Sequence, residues 1–293
     1  MKLLVLLPPL AATLAAVDAK LLSSQDIDAS CGSSSISTNT AAGVLVSAKE
    51  TEAMMTLGVQ ALTQSFGTLS LQEQIFQQLI MGSGSILAAN RAAAASTLQA
   101  TLSFAQTRAQ SANGRQLLIQ CNENSRSGIA SVSDRDPDGK PLPTRYLYNM
   151  IHKRKVAKIP PTVAPLFPTA CTQNSRAYVD GSVIVLCAGW WNTYTTRLSS
   201  RKIAGTDTLS GVERSGKLIV GDNINRIQDL ASFNLLHELM HWGTYDGVSS
   251  YRVGDGNGYK WVDVAKGFLN TPTQTAQIYP FICFGGAPSG DGD

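Results

Sequence analysis

The sequence predicts an α+β protein, with a mostly helical N-terminal region ahead of a small sheet and one long helix. Three observations predict it. Residues 43–111 are rich in Ala, Leu, Gln, Ser and Thr, with no Pro and few charges. From Gly114 onward, short apolar runs alternate with turn residues. Between Asp222 and Trp242, apolar residues return at three- and four-residue steps. The whole chain has 293 residues, 43% hydrophobic and 15% charged, which excludes a collagen-like repeat, a coiled-coil rod and a wholly disordered chain. A net charge of +3 is too small to argue for nucleic acid or an acidic membrane as partner.

Residues 1–19 read as a secretory signal peptide. Lys2 gives the positive start, and Leu3–Leu7 and Leu10–Val17 form a short apolar stretch broken by Pro8 and Pro9. Val17, Asp18 and Ala19 then offer a cleavage site before Lys20. The stretch is shorter than the ~20 apolar residues a membrane span needs, so a secreted, extracellular protein is expected. Residues 20–112 form the helical N-terminal region, a candidate pro-region. Leu71, Ile75, Phe76, Leu79 and Ile80 recur at helical spacing, as do Leu98 and Leu102. Gly82 and Gly84 mark a break between two helices.

Residues 113–293 form the second unit. Strands are expected at Leu117–Cys121, Val183–Cys187 and Lys217–Val220. Asp134–Pro143 reads as a turn-rich loop, Ile159–Pro168 as an irregular segment with four prolines, and Lys153–Lys155 as a solvated basic loop. A helix follows over Asp222–Trp242, capped by Asp222 or Asn223 and ended by Gly243.

Export places five cysteines in an oxidising compartment. The disulfide candidates are Cys121, Cys171, Cys187 and Cys283. Cys171 and Cys187 bracket two apolar runs, Cys121 and Cys283 are expected to tie the start of the second unit to the C-terminus, and Cys31 is left over. Four cysteines allow three connectivities, so this is one assignment among several.

The chemistry is carried by His237-Glu238-Leu239-Met240-His241. Residues four apart share a helix face, so both imidazoles can bind one Zn2+. Glu238 is placed to take a proton from a water and pass it to a leaving amine. A catalytic zinc keeps three protein ligands and an open position. No His or Glu occurs after His241, and His152 lies upstream. The downstream carboxylates are all Asp. They are Asp246, Asp255, Asp263, Asp291 and Asp293, and one of them is the expected third ligand.

The H-E-x-x-H sequence followed by an Asp resembles the aspzincins, the deuterolysin and peptidyl-Lys metallopeptidase group of secreted fungal proteases. Their pattern continues G-T-x-D-x-x-Y-G. Gly243-Thr244-Tyr245-Asp246 matches its first part, and Asp263-Val264-Ala265-Lys266-Gly267 its second, with Lys266 in place of Tyr. The resemblance covers roughly residues 225–282. It implies a zincin-like catalytic domain with a small sheet and an active-site helix. It also implies a zinc metalloendopeptidase that hydrolyses proteins or peptides, with His237, His241 and Asp263 as ligands and Glu238 as general base and then acid. The family's Tyr helps stabilise the oxyanion, so Lys266 departs at a working position; Tyr245, Tyr251 and Tyr259 are candidate substitutes. The expected protein is a monomer. The rival expectation is a catalytically impaired zincin scaffold acting as a secreted effector or binding protein.

Overall fold

The computed structural model describes residues 27, 31, 40–64, 84–107, 117–121, 129–138, 140–149, 154–159, 176–180, 183–191, 193–194, 201–204, 207–219, 222–245, 259–260, 264 and 275–285. The expected signal segment and the run from Leu71 to Ile80 lie outside them. The described residues form a mixed helix-and-sheet, α+β structure.

Two 24-residue helices, α1 (Thr40–Thr63) and α2 (Gly84–Thr107), pack on each other. Both run without Pro, and α2 starts at Gly84, one of the two expected break residues. Leu98 and Leu102 face the core, as their spacing predicts. A short strand β1 (Leu118–Gln120) follows, then a three-stranded antiparallel sheet of β2 (Ile129–Arg135), β3 (Pro141–Asn149) and β4 (Arg154–Ile159).

The expected loop over Asp134–Pro143 is therefore only the tip of a hairpin. Asp136 closes it: its N–H donates to the Lys140 carbonyl at 3.0 Å, and its carboxylate accepts from the Lys140 N–H at 2.8 Å. Arg154 and Lys155 belong to β4 rather than to a loop, because their backbone pairs with Asn149 and Tyr148.

The second sheet is β1–β6–β5, with β5 (Ala177–Asp180) and β6 (Val183–Leu186) forming a hairpin and β1 running parallel to β6. All four residues of β6 are buried, as befits a middle strand with helix cover. A short 3-10 turn (Ala188–Trp191) and the two-residue pair β7 (Thr193–Tyr194) and β8 (Ile203–Ala204) follow.

Helix α3 (Leu209–Arg214) is capped by Thr208, whose hydroxyl accepts from Gly211 N–H at 3.1 Å. The expected strand at Lys217–Val220 is not formed over its described residues, Lys217–Ile219. Gly216, at φ +68°, takes the left-handed position that ends the helix. Lys217 N–H then donates back to Val212 and Gly216 N–H to Glu213, the Schellman pattern, so this apolar run closes α3 and buries Leu218.

The expected helix over 222–242 is split in two. A 3-10 turn (Ile224–Asp229) is capped by Asn223, and α4 (Ala231–Tyr245) begins only after Leu230, whose ψ of 136° is extended. The split has a local cause. The Gln228 carbonyl is drawn off by Arg176 and by Asn234 Nδ2 rather than by a continuing helix. Arg176 also bonds Asp229 at 2.8 Å, fixing the junction.

Nor does Gly243 end the helix. It is instead where α4 meets α2: a Cβ at Gly243 would lie 2.5 Å from Thr101 Cγ2. Helix α5 (Ile278–Gly285) completes the set. Helix α4 packs against α1, α2, α5, β5 and β6, and the buried cluster draws on all of them. Phe233 meets Phe281 and Phe284, with ring centroids 5.1 and 5.6 Å apart. The N-terminal helices therefore share one core with the helix that carries the motif.

The cysteine assignment needs correction. Cys31 is not the odd one: it is bonded to Cys121. Cys283 is free and buried on α5, its thiol against Gly58 of α1, where burial pushes its pKa up. Cys121 is already taken by the segment that bridges alongside β1 at Ile27, which leaves Cys283 to serve as core filling. Cys187 is disulfide-bonded, and its expected partner, Cys171, lies outside the described residues. Among the described residues no helix is long and apolar enough to cross a membrane.

Candidate metal centre

Helix α4 is buried over most of its circumference. Leu235, Leu236, Leu239 and Met240 have no exposed surface. That leaves one stripe for polar side chains, and the four-residue spacing puts His237 and His241 on it. Their Nε2 atoms lie 3.1 Å apart, and the rings meet edge-on at 77° with centroids 4.7 Å apart. His237 and Glu238 are buried, and His241 is half-buried.

This pair fits a zinc ion. Two nitrogens bound at about 2.0–2.1 Å with near-tetrahedral angles are roughly 3.3 Å apart. The 3.1 Å separation is close to that, with both ring edges converging on one point. Imidazole nitrogens are also a donor type that zinc prefers.

None of the candidate third ligands is among the described residues. Asp263, Asp246 and Asp255 lie outside them, as do His152 and Lys266. Among the described residues no group of three His, Cys, Asp or Glu side chains is placed to hold a metal. The chain on both sides of Asp263 is described, however. Tyr259, four residues before it, has its ring 5.8 Å from that of His237, and Val264, next after it, is in the core. Val264 N–H donates to the Lys260 carbonyl at 2.9 Å.

The start of α4 is set by α1. Glu50 accepts from the Ser232 hydroxyl and, at 2.6 Å, from the Leu209 N–H that opens α3. Thr51 donates to the Ser232 carbonyl at 3.1 Å. Burial raises the Glu50 carboxyl to about 7, against the pull of the Ser232 and Leu209 bonds, with Glu213 adding repulsion. Farther out, burial would raise Asp222, but the Ile219 N–H, Arg201 and Arg226 together hold it below the ordinary value. Asp229 goes the other way: burial outweighs Arg176, and its pKa is raised.

Sequence reading finds the motif and names Tyr259 among three tyrosine candidates. It misses Glu50, Gln228 and Gln277, whose roles depend on contacts between residues far apart in the chain. No spacing signal points to them. Compared with protein-family models, with curated proteins and with solved structures, the chain matches none.

Proposed function

We propose that this chain is a secreted zinc metalloendopeptidase that hydrolyses peptide bonds in proteins or peptides. The observation that carries the reading is the convergence of the His237 and His241 Nε2 atoms, 3.1 Å apart, with Glu238 on the same turn. The disulfide between Cys31 and Cys121 and the apolar, Lys-led N-terminal stretch support export. The zincin-like fold is part of the same proposal. It is supported by a buried motif helix packed on the β5–β6 hairpin.

His237, His241 and Asp263 hold the metal. Tyr259, which packs near His237, lies four residues from both Asp263 and Asp255 and so favours either over Asp246; Asp263 is preferred because it also matches the D-x-x-Y-G pattern, with Lys266 in place of Tyr. Bound zinc supplies a lowered pKa for a water and polarisation of the scissile carbonyl. Glu238 takes a proton from the attacking water onto its carboxylate. It then gives that proton to the leaving amine nitrogen, so it returns to its starting state. The packing of Leu235, Leu236, Leu239 and Met240 keeps the helix from turning and so keeps both imidazoles aimed.

The test is zinc per chain in protein purified from the host medium without added metal, paired with hydrolysis of casein. About one zinc per chain and measurable hydrolysis are expected. No zinc, and none taken up on addition, removes the metal-site reading. One zinc without turnover leaves a binding or effector protein built on a metal scaffold.

A further inference from the structure

The Tyr259 carbonyl accepts two hydrogen bonds from two different parts of the fold. Gln228 Nε2 reaches it at 2.7 Å from the 3-10 turn ahead of α4, and Gln277 Nε2 at 2.8 Å from the turn ahead of α5. A carbonyl oxygen has two lone pairs, so both are used. Each glutamine is itself fixed. Gln228 also donates to Asn225 Oδ1 at 3.1 Å, and its own carbonyl is held by Arg176 and Asn234. Gln277 is buried, with only 3% of its surface exposed. The result at the far end is a large aromatic ring, 54% exposed, set at a tilt of 48° beside the half-site imidazole of His237.

That combination is unusual for a residue more than half exposed. Exposed aromatic side chains contribute little to a core, and a backbone carbonyl on a surface turn is ordinarily left to water. Here two side chains from separate elements fix the backbone below a ring whose outer half stays open. We propose that Tyr259 is a wall of the substrate site, contacting the peptide next to the scissile bond, and that Gln228 and Gln277 are positioning residues that hold it there. This rests on the metallopeptidase reading for the identity of the ligand, but the clasp itself does not.

A contact made equally in the bound and transition states lowers KM without changing kcat. Tyr259→Ala is therefore expected to raise KM for a peptide substrate roughly tenfold with kcat within about twofold. Gln228→Glu and Gln277→Glu keep the side-chain shape but present an acceptor to a carbonyl. Each is expected to move KM in the same direction, by a smaller factor.

The second readout needs no turnover. In the metal-free protein, the NMR shifts of the His237 ring protons carry a ring-current contribution from Tyr259. That contribution should vanish in Tyr259→Ala and diminish in both glutamine variants. Gln228 is only half-buried, so Gln228→Glu stays informative if Gln277→Glu fails to fold. Unchanged His237 shifts in Gln228→Glu overturn the clasp, and an unchanged KM in Tyr259→Ala overturns the wall. A wild-type chain with no hydrolysis sinks the functional reading and the role of Tyr259 toward substrate. The NMR comparison still decides the clasp in that case.

Discussion

At the start of α4, the Ser232 hydroxyl donates to Glu50 and the Ser232 carbonyl accepts from the Thr51 hydroxyl, both on α1. Two turns later, His237 and His241 turn their Nε2 atoms toward each other. The first region joins polar groups of opposite function across a helix interface. The second brings like groups together on a single helix. Donor-to-acceptor matching between elements fixes position, whereas two imidazole nitrogens at contact distance are at ease only when they share a proton or a common cation. The contrast teaches where this fold spends its polar groups: α4 is anchored so that its two imidazoles are presented from a rigid frame.

The largest test of that contrast removes the anchor. A chain beginning at residue 113 lacks α1 and α2, and with them Glu50, Thr51 and much of the shared core. We expect no cooperative melt by circular dichroism and no zinc uptake. A truncated chain that melts cooperatively and binds zinc would support the pro-region expectation, with residues 20–112 as a removable cover.

Next in size is the middle of the helix. Glu238→Gln preserves shape and should preserve zinc content and melting temperature. Hydrolysis should fall by about 10²–10⁴-fold, the range typical for loss of a positioned general base. Normal cleavage of casein by this variant would show that Glu238 does not handle the proton.

The sequence makes the motif helix legible because its chemistry and its burial have the same period. Leu235 and Leu239 mark the core face, while His237 and His241 mark the other. The helical character of Leu98 and Leu102 and the strands at Leu118 and Val183 are legible for similar reasons. What resists reading is whatever depends on partners distant in sequence. The break at Leu230 follows from Arg176, some fifty residues upstream, capturing the Gln228 carbonyl. The bond from Cys31 to Cys121 spans 90 residues, and no pattern selects it over Cys121 with Cys283. The apolar run at Lys217 looks like a strand, yet it closes a helix because Gly216 turns the chain back.

A pH titration sharpens the comparison at the anchor. In the folded protein Glu50 holds its proton up to about 7, whereas an exposed glutamate loses it near 4.5. Below that lower value both states are protonated and the stability of the junction is fully present. Between the two values the unfolded chain releases a proton that the folded chain keeps, so stability falls as pH rises, and above about 7 the loss is complete. The groups facing Glu50 are Ser232 of α4, the Leu209 N–H and the Glu213 carboxylate of α3; Glu213 is itself raised by burial. A difference of this size corresponds to about 3 kcal/mol. Urea unfolding at pH 5 and pH 8 should show that loss in the wild type, and Glu50→Gln should remove most of it. Equal slopes in the two proteins would mean that Glu50 is not the group responsible.

The smallest effect is expected at the other end of α4. A methyl added at Gly243 would press on Thr101 of α2, with Cγ2 at 2.5 Å and Oγ1 at 2.7 Å. Thr is branched at Cβ and stiff in a helix, so it has little room to rotate away. Alanine usually favours a helix over glycine by about 1 kcal/mol, so local propensity argues for a gain. Overpacking costs about 1–3 kcal/mol, which outweighs it, and Gly243→Ala should be destabilised on balance. Thr101→Ala in the same chain removes the two nearest atoms, leaving Thr101 Cβ at 3.0 Å, and should recover most of that loss. Non-additivity of the two substitutions in chemical denaturation measures the contact directly. Additive effects would show that α2 and α4 do not meet closely at this point.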